Sequence, residues 1–94
     1  MTCYMIVRSK ITDEERYGRY REAVMPLIET FGGRHVRGGM VELLEGQQDD
    51  RRIALFEFPS MDSVHAFWNS PEYVPVRELR RGAADLEIWA VPGV

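Results

Sequence analysis

Glycine and proline punctuation divides this chain into six pieces, and few folds accept six pieces of these lengths in this order. Proline removes a backbone donor and glycine tolerates backbone conformations that other residues avoid, so both mark ends and turns. Thr2 to Val7 is β-branched, aromatic and apolar, and reads as a first strand ending near Arg8. Thr12 and Glu15 form a capping box, after which Tyr17, Tyr20, Val24, Leu27, Ile28 and Phe31 keep one helical face. Pro26 should kink that helix or spoil one hydrogen bond. Gly32-Gly33 should stop it, with Gly33 at positive φ. Arg34 to Glu45 reads as a second strand bulged at Gly38-Gly39, and Gly46 to Asp50 as a hairpin loop. Arg52 to Phe58 is the third strand, closed by Pro59. Ser60 caps a second helix with Met61, Val64, Phe67 and Trp68 on one face, broken at Asn69-Ser70-Pro71 and resumed through Leu79. Asp85 to Val91 is the last strand, ended by Pro92-Gly93.

The order is βαββαβ. Short connections and right-handed crossovers close it as an α+β, ferredoxin-like domain over residues 1–94, a four-stranded antiparallel sheet with two helices on one face. Ninety-four residues leave no room for a second core. The net charge of −3 with scattered acids argues against a nucleic-acid groove, which needs a concentrated basic face. Phe56-Glu57-Phe58 sits where an RNA recognition motif carries stacking aromatics, but the flanking motif is absent and Glu57 would repel phosphate. One cysteine, Cys3, excludes an internal disulfide and fits a reducing compartment. No segment suits a signal peptide or a bilayer span, so the expected location is the cytoplasm and no membrane partner is expected.

Two helices cover one face of a four-stranded sheet, and a wet second face should show polar residues in alternation. These strands do not alternate. Tyr4-Met5-Ile6-Val7 and Ile53-Ala54-Leu55-Phe56 are apolar on both faces, and Trp89 lies between Ile88 and Ala90. Burying about eight such side chains at roughly 1.5–3 kcal/mol each is worth on the order of 10–20 kcal/mol. That matches or exceeds the roughly 4–15 kcal/mol entropic cost of association. A homodimer through the helix-free sheet face is the economical expectation.

Between Tyr17 and Tyr73 the chain carries Phe-Gly-Gly at 31–33, Arg-Gly-Gly at 37–39, Leu-Glu-Gly at 44–46, Phe-Glu-Phe-Pro-Ser at 56–60 and Ser-Pro-Glu-Tyr at 70–73. With these motifs it resembles the bacterial family known as domain of unknown function 1330, of the dimeric α+β barrel superfamily. The resemblance implies two ferredoxin-like sheets paired face to face. Superfamily relatives include cofactor-independent monooxygenases, muconolactone isomerases and haem-degrading enzymes. One spacing departs from the family pattern: only His35 and Val36 separate Arg34 from Arg37, where three residues are usual, and losing one residue reverses strand parity locally.

Glu57 is the one acid on an otherwise apolar third strand. It shares a face with Ile53 and Leu55, which must be the helix-free one, and the hairpin brings Arg37 near it. Such a pair could bind a polar ligand or tune a base, or it could simply satisfy two half-buried charges. His35, Trp68, Tyr73 and Trp89 are candidate ligand-binding residues, aromatics at such spacings also being ordinary core. His35 and His65 fit no metal spacing, His65 reading as a half-buried packing residue, and Cys3 reads as buried and inert. No metal and no cofactor is expected. Two function classes follow: a dimer that binds a small hydrophobic or aromatic metabolite, and a cofactor-independent monooxygenase- or isomerase-type enzyme using Glu57 with Arg37.

Overall fold

The computed structural model describes residues 2–47 and 49–93. Its elements run β1 (Cys3–Ile11), α1 (Glu14–Thr30), β2 (Arg34–Met40), β3 (Arg52–Phe58), α2 (Met61–Trp68), α3 (Tyr73–Glu78) and β4 (Ala84–Val91). The strands form one antiparallel sheet in the order β2-β3-β1-β4, the ferredoxin-like arrangement. The Cα extents are 34 × 33 × 16 Å, the thickness of one helical layer on one sheet. Alternation along β1 divides the faces. Cys3, Met5, Val7 and Ser9 are buried beneath the helices with Phe56 and Phe58 of β3, while Tyr4, Ile6, Arg8 and Lys10 point the other way. The core against that sheet is Tyr17, Tyr20, Val24 and Ile28 of α1 with Val64, Phe67 and Tyr73.

Several local expectations change. β1 runs to Ile11, because Arg8, Ser9 and Lys10 find ladder partners in Glu87, Leu86 and Asp85 of β4. The first helix is capped by Asp13, not Thr12: the Arg16 N–H donates to Asp13 Oδ1 at 3.1 Å, while Thr12 and Asp13 both donate to the Ala83 carbonyl. Pro26 leaves α1 continuous, since it lies on the exposed side where water can take the freed carbonyl. The positive φ after α1 belongs to Gly32 (86°), not Gly33. Gly33 is required for a different reason: a Cβ there would lie 2.6 Å from Ile28 Cγ2 and 2.7 Å from Phe58 Cζ.

β2 ends at Met40 instead of Glu45. Its irregularity falls between His35 and Arg37, so Val36 is the extra residue, although Gly39 does take φ 124°. This bulge undoes the parity change expected from the short spacing. Arg34 opposes Glu57 and Arg37 opposes Leu55, both on the helix-free side. The second helical segment is two helices, with Ser60 Oγ accepting from the Ser63 N–H at the start of α2.

Candidate functional site

A cavity of about 330 Å³ lies between α1 and the β1–β3–β2 part of the sheet. Its inner wall is Val7, Tyr20, Val24, Ala54 and Phe56, which α1 and the helix-side positions of β1 and β3 supply. Its lining also includes the buried Ser9 and, on the exposed side, Arg21, His35 and Arg52. The bulge at Val36 leaves His35 opposite Phe56, on the helix side, where the two rings stand 5.2 Å apart. Gly38 makes this possible, since a Cβ there would come within 2.9 Å of His35 Nε2. The Arg21 guanidinium rests over the Tyr17 ring at 5.0 Å, and the residue is exposed to solvent.

Below the cavity floor the Tyr20 and Tyr73 hydroxyls share a hydrogen bond of 2.9 Å, and the Arg80 guanidinium lies over the Tyr20 ring at 5.5 Å. Burial lifts the Tyr20 phenol far above its ordinary range, helped by Tyr73. Burial also raises Tyr17, against the pull of Arg21 and Arg80. A phenol whose pKa rises on folding stabilises the fold below the unfolded value of 10.0, and that stability is lost as pH climbs through 10 toward the folded value. Alkaline unfolding should therefore steepen above pH 10.0 by up to about 1.4 kcal/mol per pH unit for each such tyrosine. Tyr20→Phe should flatten that dependence, while at neutral pH it loses about 1–3 kcal/mol by leaving the Tyr73 hydroxyl unpaired. Denaturant melts across the alkaline range test this, and an unchanged slope in Tyr20→Phe would contradict it.

The sequence-derived residues are not gathered at one place. His35 lines the α1 cavity. Trp68 borders a second, smaller cavity of about 260 Å³ between α2 and β4, with His65, which is exposed and not half-buried. Trp89 also lies at its edge, but its position opposite Ile6 and its ring beneath Arg8 put that ring on the helix-free side. Tyr73 is 1% exposed and belongs to the core. Glu57 lies on the helix-free side as expected, opposite Tyr4, but its partner is Arg34, whose Nε stands 3.0 Å from Glu57 Oε1. Arg37 makes no ion pair with it among the described residues, because it opposes Leu55, two residues along β3 from Glu57. The sheet therefore lies between Glu57 and the α1 cavity. Cys3 is fully buried, and among the described residues no three His, Cys, Asp or Glu side chains converge as a metal site. No helix among them is long and apolar enough to cross a membrane.

Sequence reasoning missed Arg21, Arg52 and Ser9. Arg21 stands next to a helix position already assigned to the core, and Arg52 opens a strand. Only the register, which sets Arg52 opposite both Ser9 and Met40, shows which side they serve.

A four-stranded antiparallel sheet with its helices on one side and a cavity between them defines a ferredoxin-like α+β protein. More narrowly, the chain belongs to the family described as Domain of unknown function (DUF1330), whose model matches residues 2–94. A protein of unknown function from Rhodopseudomonas palustris is similar at 25% identity and TM-score 0.78, over 99% of this chain and 82% of that one. SnoaB, a cofactor-independent oxygenase from Streptomyces nogalater, shares the fold at 13% identity and TM-score 0.69, over 99% and 93%. A dimeric ferredoxin-like protein of unknown function from Bacteroides fragilis does so at 20% identity and TM-score 0.65, over 98% and 96%. No curated protein matches the chain.

Proposed function

We propose that this is a single-domain cytoplasmic protein that works as a homodimer and holds a small hydrophobic or aromatic metabolite between α1 and the sheet. The observation that carries the reading is the α1 cavity itself. At about 330 Å³ it stands at the small end of ligand sites, which run from about 300 to 1,000 Å³. It pairs an apolar wall with a few polar groups at its opening, the composition that orients a ligand. The dimer is supported by the helix-free face, where Tyr4, Trp89 and Val91 are exposed beside Ile6, Ile53 and Leu55, and by the description of the Bacteroides fragilis neighbour as dimeric.

Titration with 2-naphthol, a neutral aromatic probe, tests the cavity. It should bind saturably to the unmodified protein. Ala54→Phe, which fills the cavity from β3, should weaken binding at least about tenfold with the melting temperature nearly unchanged. Equal binding by a folded Ala54→Phe variant would defeat the reading. An enzyme built on Glu57 with Arg37 has less support, since Glu57 pairs with Arg34 and stands across the sheet from the cavity. The oxygenase activity of SnoaB is a property of that protein, and 13% identity extends its fold alone.

A further inference from the structure

We infer that the ligand of the α1 cavity is an organic anion, a carboxylate on an apolar body, bound with the apolar end inward and the carboxylate at the opening; this rests on the cavity reading above. The chain holds fifteen acids against twelve bases, yet none of the acids lines this cavity, while two arginines and a histidine do. Five of the other arginines are paired with carboxylates, while Arg16, Arg37, Arg77 and Arg80 stand without an ion pair among the described residues. Arg8 pairs with Asp49 and Glu87, Arg51 with Asp85, and Arg34 with Glu57. Arg21 and Arg52 have no ion pair among the described residues. Both line the α1 cavity, Arg21 from α1 and Arg52 from the first position of β3.

Two solvent-exposed guanidinium groups bordering an apolar hollow with no carboxylate in its lining favour an anion there. A carboxylate suits them because the guanidinium fork donates two parallel N–H bonds to its two oxygens. His35, which lines the same opening, and Ser9, 8% exposed in the wall, supply further hydrogen-bonding groups. The inward end meets only side chains such as Tyr20, Val24 and Phe56, where a charge would be stranded. A wholly apolar ligand would leave the arginines unused, and a cationic one would be repelled at the opening.

Calorimetric titration with 2-naphthoate and with its neutral counterpart 2-naphthamide separates the alternatives. At low ionic strength the naphthoate should bind at least about tenfold more tightly, with added salt narrowing the difference. Arg21→Gln with Arg52→Gln should bring the two affinities together while leaving naphthamide within about twofold. If the double variant does not fold, each single variant should lose about threefold for naphthoate alone. Equal affinities in the unmodified protein would overturn the anion assignment and leave the cavity reading standing. An undiminished naphthoate preference in folded arginine variants would overturn it too. If neither compound binds, or if both bind Ala54→Phe as well as the unmodified protein, the cavity reading and the inference built on it both fall.

Discussion

Gly33→Val is expected to cost at least about 3 kcal/mol, a fall in melting temperature of about 12 °C or more for a domain of this size. The reason is a close approach and not backbone strain, since the positive φ belongs to the preceding Gly32. Even a single Cβ at 33 would stand 2.6–2.8 Å from Ile28 Cγ2 and the Phe58 ring, nearer than unbonded carbons approach. Neither neighbour can yield easily, because Ile28 is 1% and Phe58 0% exposed, and Phe58 packs on Phe67 at 6.0 Å. Gly33→Ala should show a smaller loss of the same sign. Adding Phe58→Leu to it should cost less than the two single changes summed, because one relieves the crowding the other creates. Thermal unfolding by circular dichroism reads all four proteins. Strict additivity would mean that Gly33 does not pack against Phe58 as described.

Leu55→Glu is expected to turn the proposed dimer into a monomer, raising its dissociation constant at least about a hundredfold. Leu55 sits mid-face on the helix-free side, opposite Ile6 on one flank and Arg37 on the other, with Trp89 beyond Ile6 in the same row. In an isolated protomer that position is only partly covered, so a carboxylate there stays hydrated and stability changes little. In a face-to-face dimer two such carboxylates would be buried near the centre of the contact, without partners. Sedimentation velocity at micromolar concentration separates the cases. A monomeric unmodified protein, or a Leu55→Glu protein that still dimerises through this face, would refute the proposed interface. The charge clusters on the same face, Arg8 with Asp49 and Glu87 and Glu57 with Arg34, flank the apolar row. They are suited to fixing the orientation of a second copy more than its affinity.

Much of the architecture is legible in the amino-acid sequence. The third strand, Arg52 to Phe58, falls where its composition and Pro59 put it, and the Ser60 cap forms as its position implied. Alternation along β3 placed Glu57 on the helix-free side, where it lies. These are local properties: hydrophobic period, a capping hydroxyl, a residue without an N–H. The misplacements have a common cause. The sequence points to Thr12 as the cap, but Asp13 takes that role in a turn where the Ala83 carbonyl, seventy residues on, accepts from both backbone N–H groups. The first strand reads from the sequence as ending near Arg8, yet it continues because Ser9 and Lys10 meet Leu86 and Asp85 of β4.

By itself, then, the amino-acid sequence determined the βαββαβ order, the sheet with one helical layer and the apolar character of its second face, since these follow from composition and period within each segment. Only the tertiary structure decided which glycine is crowded, which arginine meets Glu57, and that Arg21, His35 and Arg52 open onto one cavity. Each of those depends on strand register, and one bulged residue, Val36, resets the register of β2 through hydrogen bonds to β3 that no window of the sequence contains.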